Sequence, residues 1–175
     1  MAALPEGDID MAASPQPEAD PKRELLRHAL ATVAYRGGKA LRGAQAGFAE
    51  FRVAEGSRTP AQILAHVGDL LDWGLSIAQG SQKWNDSTPL PWDEEVNRFH
   101  MALKAFDDYL ASGQPLHASA ESIFQGPLAD SLTHVGQIAM LRRIAGCPMK
   151  GENYYKAEIV AGRVGPEQAA PRKEF

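Results

Sequence analysis

Two polar side chains stand out because they lie on an apolar face of one predicted helix. Asp130 and His134 are four residues apart, so a helix brings them to the same side, one turn from each other. The same line continues through Ile138 and Leu141, which are typical core residues, so we expect this face to point inward. A carboxylate that faces a core is costly unless it is paired or binds a cation.

A third such residue, His66, belongs to a different predicted helix. It follows Ile63 by three residues and precedes Leu70 by four, which places it on the apolar face of that helix. Together with Asp130 and His134 it supplies two imidazoles and a carboxylate. This donor set suits a divalent Zn, Ni, Fe or Mn ion and leaves a coordination position open. Such an ion would lower the pKa of a bound water or polarise a substrate oxygen.

The spacing also allows an interpretation without metal. Asp-x-x-x-His occurs often by chance, and a lone inward histidine such as His66 is as readily a hydrogen-bonded core residue as a ligand. Asp130 and His134 would then form a structural polar pair within one helix, partly solvated. The chain would in that case be a metal-free small-molecule-binding or interaction protein.

Two further residues are candidates for the surroundings of the site. Trp73 lies one heptad beyond His66 and is expected to line the same pocket. His100 lies between Val96 and Leu103 on the inner face of a third predicted helix. It is interpreted as a fourth ligand, as a group behind the ligands or, most simply, as a core histidine with a hydrogen-bond partner.

No residue stands out as a general base, and the catalytic residues stay unknown. Asp69 and Glu121 are candidates, but each is more simply explained as a solvated charge on a helix surface. His28 and His117 are expected in solvent, on a helix flank and in a loop. The only cysteine, Cys147, follows the end of a helix, where the negative end of the dipole disfavours a thiolate.

The elements that must position these residues are helices. Four stretches carry apolar residues at helical spacing: from Pro21 to Phe48, from Pro60 to a stop at Gly80, from Trp92 to Leu110 and from Ala118 to Ala145. Asp20-Pro21 and Thr59-Pro60 are helix start signals, with an N-cap acceptor before proline. Gly37-Gly38 predicts close packing or a bend, and Gly126-Pro127 predicts a kink or a restart. The fold class is therefore all-α, an antiparallel four-helix bundle over residues 21–147.

The two ends of the chain differ from the bundle in composition. Residues 1–20 are rich in acidic residues and proline and lack the basic and apolar regions of a signal peptide, so we predict a disordered tail. Residues 148–175 combine aromatic and aliphatic side chains with several glycines and prolines. They predict a C-terminal arm, with at most one short helix, that packs on the bundle.

The overall composition excludes some classes of function. With 18 Lys and Arg against 22 Asp and Glu, the formal charge is −4, which argues against a nucleic-acid partner because phosphate binding needs a basic face. No apolar run approaches the roughly 20 residues that span a bilayer, so no membrane association is expected. A single cysteine allows no internal disulfide, and a reducing cytoplasm is the expected location.

Two segments resemble a known family. Residues 59–70, TPAQILAHVGDL, are similar to the segment of DinB-like (YfiT-like) proteins that carries their first metal-binding histidine. Residues 133–146, THVGQIAMLRRIAG, resemble the HxGQ…LRR…G segment of the same family, which is the more specific of the two. The resemblance covers roughly residues 20–146.

The resemblance implies a four-helix bundle in which three histidines bind a divalent metal, one from the second helix and two from an HxxxH pair on the last. His66 matches the first and His134 the third, whereas the second falls on Asp130, where this chain departs from the pattern. The resemblance further implies a metal-dependent thiol S-transferase or a hydrolase. The expected substrate is a small molecule, with a low-molecular-weight thiol as a partner, and the expected assembly is a homodimer.

Overall fold

Side-chain caps begin the helices where the sequence signals place them. Asp20 accepts a hydrogen bond from the backbone N–H of Lys22 at the start of the first helix. Thr59 and Gln62 form a reciprocal capping box at the start of the second. The structure, a computed structural model, describes residues 20–175. Its α-helices are α1 (Pro21–Leu41), α2 (Pro60–Ala78), α3 (Trp92–Ala111), α4 (Ala120–Ile123) and α5 (Ala129–Ile144).

The architecture of residues 20–175 is an all-helical bundle. The helix α2 packs mainly on α3 and α5, and α1 packs on the same two helices. No strand forms in this part of the chain, where the only β pairing is an isolated bridge between Glu152 and Glu174. The core is built from aliphatic and aromatic side chains of all the long helices, with Phe99, Phe106 and Leu30 among those fully excluded from solvent. The predicted all-α class is therefore confirmed.

The last helical stretch of the bundle contains an irregular segment but remains continuous. Between α4 and α5 lies a π-helical segment, Phe124–Leu128, which contains Pro127. A proline inside a helix lacks the N–H that would bond one turn back, and a π-turn absorbs the mismatch. The predicted kink or restart at Gly126-Pro127 thus takes the form of a local widening, and residues 120–144 run as one composite helix.

The first helix is shorter than its apolar spacing predicts. It ends at Leu41, and Phe48 belongs instead to a separate 3-10 turn, Phe48–Glu50. Gly43 has a φ of +64°, a conformation that favours glycine and turns the chain away from the helix axis. Leu25, expected on the apolar face, is largely exposed. At Gly37 a Cβ would lie 2.5 Å from the Phe99 ring, so glycine is needed there for close approach of α1 and α3.

The C-terminal residues are anchored to α1 by a buried polar cluster. Lys39 donates to Glu152 at 2.6 Å and to Glu174 at 2.8 Å, and Tyr35 donates to Glu152 at 2.6 Å. Burial, followed by the Glu152 carboxylate, raises the pKa of Tyr35 well above its ordinary value, so the hydroxyl stays protonated as a donor. The short helical element in this segment is a 3-10 turn, Tyr154–Lys156.

Two expectations concern the ends of the chain and the membrane. The predicted disordered tail, residues 1–20, lies outside the described residues except for Asp20, which caps α1. Among the helices of residues 20–175, none combines the length and the apolar character that crossing a bilayer requires.

A buried arginine joins the end of α5 to the end of α1. Arg142 donates to the carbonyl oxygen of Ala40 in the last turn of α1, to those of Arg42 and Gly43, which directly follow this helix, and to that of Cys147. The sequence suggests that Arg142 complements the dipole of its own helix, but its guanidinium binds carbonyl groups at and just after the end of α1. Its neighbour Arg143 is exposed and bonds within its own helix.

Replacing Arg142 by methionine should therefore destabilise the protein. Four carbonyl groups would lose a charged donor, and we expect the free energy of unfolding to fall by about 2–4 kcal/mol. R143M is the matched control and should change it by less than about 0.5 kcal/mol. Urea unfolding of the three proteins measures the difference, and equal losses in R142M and R143M would contradict the assigned role.

Candidate metal centre

The contact between α2 and α5 brings the three predicted ligands together. One ligand atom from each of His66, Asp130 and His134 lies within 4.8 Å of the other two. Asp130 Oδ1 is 3.5 Å from His134 Nε2, and Asp130 Oδ2 is 4.0 Å from His66 Nε2. The two imidazole rings are 4.7 Å apart and perpendicular. These side chains form a group that could hold a metal ion.

The donor set suits the chemistry of a first-row divalent ion, and its spacing is somewhat wider than that of bound ligands. Ligand atoms at roughly 2.1 Å from a tetrahedral ion stand about 3.4 Å apart. The distance of 3.5 Å between His134 and Asp130 Oδ1 meets this spacing. His66 is 4.0 Å from the other oxygen, Oδ2, and with one ligand atom per residue the separations reach up to 4.8 Å, so side-chain rotation is needed to place all three around one ion. Two imidazoles with one carboxylate supply three of the positions, so a fourth is left for a water or a substrate atom.

The burial of the three side chains is uneven. The exposed fractions are 20% for His66, 13% for His134 and 47% for Asp130. The expectation that Asp130 faces the core is therefore wrong: at the first turn of α5, beside the π-helical segment, it reaches the rim of the bundle. A half-exposed carboxylate keeps part of its hydration and costs little without a cation, so its position alone does not demand a metal.

The protonation state of His66 suits a ligand. Burial, followed by the nearby His134 and Arg58, holds the pKa of His66 below its ordinary value of 6.5, while Asp130 and Asp69 act in the opposite direction. The imidazole is therefore neutral at pH 7, with a lone pair available for coordination.

A neighbour on the same helix orients His134. Its Nδ1 lies 2.9 Å from Oε1 of Gln137. An amide oxygen only accepts hydrogen bonds, so this contact favours the tautomer with its proton on Nδ1, in which Nε2, on the side of Asp130, is the coordinating atom. Metal-bound histidines are usually held in this way by an acceptor on the second nitrogen. Gln137 appears in the sequence only as a letter of the HxGQ segment, and its spacing of three from His134 is the signal that could have assigned this role.

Two tryptophans form an aromatic cluster with His66. The Trp84 ring lies 5.6 Å from the His66 ring and 5.7 Å from the Trp73 ring, both in edge-to-face contact. Trp73 is thus connected to the site through its contact with Trp84. The sequence shows Trp84 only as an aromatic residue in a polar loop, so its contact with His66 was not predicted. The loop between α2 and α3 is held over α2 by Ser76, whose hydroxyl accepts from the backbone N–H of Lys83.

A buried ionic cluster fixes this loop and the adjoining helices. Asp69 accepts from Ser87 through both the backbone N–H, at 2.9 Å, and the hydroxyl, at 2.6 Å. Its other partner is Arg98 of α3, at 2.6 Å, which also donates to Asp72 and to the buried Glu95. The interpretation of Asp69 as a solvated helix charge is wrong, since only 1% of its side chain is exposed. Three carboxylates near one guanidinium, all with hydrogen bonds, explain why charges are tolerated here.

A small polar cavity adjoins His66 on the side of α2 and this loop. It has a volume of about 170 Å³. Its lining consists of Arg58, Gln62, His66, Asp69, Asp86, Ser87 and Pro89. Because His66 belongs to both the cavity and the ligand group, a molecule bound in the cavity would lie beside the metal position.

The remaining candidate residues lie elsewhere. His100 is part of the contact of α3 with the C-terminal residues, where its Nδ1 lies 3.4 Å from the carbonyl oxygen of Val164, so it is neither a ligand nor a wall of this site. His28 and His117 are exposed. Glu121 is an exposed charge that pairs with Lys22.

Comparison of the chain with models of protein families, with curated proteins and with solved structures found no match. The DinB-like resemblance therefore depends on the two segments alone.

Replacing Asp69 should weaken the attachment of the loop. Asp69→Asn keeps the shape but removes the charge that faces Arg98, and loss of one partner of a buried pair costs about 2–4 kcal/mol. Asp72→Asn, whose side chain is 40% exposed, is the matched control and should cost less than about 1 kcal/mol. Chemical denaturation compares the two variants with wild type, and a loss in D69N no greater than in D72N would show that the loop does not depend on this contact.

His100 should give stability a measurable pH dependence. Burial lowers its pKa from 6.5 and outweighs the contact with Val164, so the unfolded chain takes up the proton before the folded one does. The stabilising contribution of the neutral His100 ring is thus fully present above pH 6.5. It is lost as the pH falls through the lower pKa that His100 has in the folded protein. The pKa of His66 is also lowered, but wild type and the His100→Gln variant share this residue, so it does not account for a difference between them. The variant His100→Gln should lose less free energy of unfolding than wild type between about pH 7.5 and about pH 5, and an equal loss would contradict the assignment.

Proposed function

We propose that this chain is a divalent-metal-binding protein of the DinB-like class, with an antiparallel four-helix bundle, and that it acts as a metal-dependent thiol S-transferase or hydrolase on a small molecule. The observation that carries the proposal is the convergence of His66, Asp130 and His134, from two helices, on one point. Zn, Ni, Fe and Mn are the candidate ions. The cytoplasmic location and the homodimer belong to the same proposal.

The surroundings of the three ligands support the metal over the alternative of a structural pair. A pair between Asp130 and His134 needs no third residue, yet His66 approaches both with a neutral ring. Gln137 leaves Nε2 of His134 free to coordinate instead of fixing a proton there for Asp130. At 3.5 Å, the distance from Asp130 to His134 is also longer than that of a charge-assisted hydrogen bond.

Each residue of the metal site would have a separate role. His66, His134 and Asp130 hold the ion, and Gln137 keeps His134 in the ligating tautomer. The ion would act as a Lewis acid toward a water, a thiol or a substrate oxygen. Trp84 packs edge-to-face on His66, whereas the exposed side of Asp130 leaves an approach for substrate.

Metal content tests the proposal. Protein purified without chelator should carry about one divalent ion per chain, and saturating metal at about 100 times Kd should add about 2.7 kcal/mol to the free energy of unfolding. His66→Ala and His134→Ala should release the ion while helicity by circular dichroism is retained. H28A and H117A, which remove exposed histidines outside the site, are the controls and should keep it.

Removing the acceptor behind His134 should have a graded effect. Gln137→Leu is expected to weaken metal binding by about 10–100-fold without abolishing it.

Extensively dialysed wild-type protein that holds no metal, and that gains no thermal stability from Zn, Ni, Fe or Mn, would overturn the proposal in favour of the metal-free binding protein.

A further inference from the structure

The cavity beside His66 contains charged groups that the fold does not use. Arg58 is exposed and directly precedes the N-cap Thr59. Within residues 20–175 its guanidinium forms neither a hydrogen bond nor an ion pair, although it lines the cavity. By contrast, Arg98 and Arg142 are fully engaged in holding helices together. Arg58 is thus a cation available to a ligand.

A second donor group faces the same cavity. Gln62 uses its amide oxygen to accept from the backbone N–H of Thr59, and its amide nitrogen donates to no acceptor within the described residues. A guanidinium and a primary amide that line one small cavity are suitable donors for the two oxygens of a carboxylate.

The cavity is also lined by a carboxylate, that of Asp86. Asp86 lines the cavity, is exposed and makes no ion pair within the described residues, whereas Asp69 is already neutralised by Arg98 and bonded to Ser87. The cavity therefore offers one available positive and one available negative group. Its volume of about 170 Å³ is below the roughly 300–1,000 Å³ of pockets that hold larger ligands.

We propose that this cavity binds a small zwitterion of the α-amino-acid class, with its carboxylate on Arg58 and Gln62 and its ammonium group on Asp86. A simple carboxylate would leave Asp86 unpaired beside a negative ligand, and a simple amine would leave Arg58 unused. The side chain of the bound amino acid, or an amino-acid part of a larger molecule, would then lie next to His66. That last placement rests on the proposed metal function, because His66 is shared by the cavity and the ligand group.

The inference is tested by saturation-transfer NMR with a panel of amino acids on wild-type protein loaded with zinc. Calorimetry then measures the affinity of the strongest binder. At least one amino acid should bind, and its N-acetyl and carboxamide derivatives should each bind at least about tenfold more weakly. Arg58→Gln and Asp86→Asn should weaken binding of the amino acid to a similar extent. Arg52→Gln is the control and should leave it unchanged, since Arg52 bonds to the backbone of Ser57 and does not line the cavity.

The zinc content of each variant is measured in the same samples, which separates this inference from the proposed function. R58Q and D86N should keep wild-type zinc, because neither residue belongs to the ligand group. Wild-type protein that holds zinc but binds no amino acid overturns the zwitterion site and leaves the metal proposal intact. Binding of acetate as tight as that of the amino acid, with no effect of D86N, overturns it as well.

Discussion

The packing of α2 against α5 is the constraint on which the candidate site depends. His66 comes from one helix and Asp130 with His134 from the other, so the distance of 4.0 Å between His66 and Asp130 exists only while these helices stay in register. A shift by one turn, about 5.4 Å, would separate the ligands beyond the reach of one ion. Gly74 contributes to this register, since a Cβ there would lie 3.0 Å from Pro127.

Buried charges rather than apolar contacts alone set the relative positions of the elements. Arg98 connects α3 to α2, Arg142 connects α5 to the end of α1, and Lys39 connects α1 to the C-terminal residues. Each of these cations has several hydrogen-bond acceptors, which offsets the cost of removing it from water. Such contacts are directional, so they favour one arrangement of the helices where apolar surfaces would tolerate several. The Arg98 cluster lies directly beneath the loop that carries Trp84, which couples the scaffold to the wall of the site.

The helices and the ligand group could be predicted from local patterns. Caps at Asp20 and Thr59, apolar periodicity and the i, i+4 spacing of Asp130 and His134 are encoded within a few residues of one another. The end of α1 was missed because its apolar spacing continues across the turn at Gly43. The roles of Asp69 and Arg98 were missed for a different reason. A charge on a helix has the same local pattern whether it meets solvent or a partner on another helix, and 29 residues separate these two. Trp84 lies in a loop, where periodicity carries no information about contacts.

We propose that His66, Asp130 and His134 together bind one divalent ion. The most direct test is an anomalous difference map from crystals of protein never exposed to chelator, recorded on both sides of the absorption edge of the metal found by elemental analysis. We expect one peak per chain, at bonding distance from Nε2 of both histidines and from a carboxylate oxygen of Asp130. A map without a peak at this position, from protein shown to be folded, would contradict it.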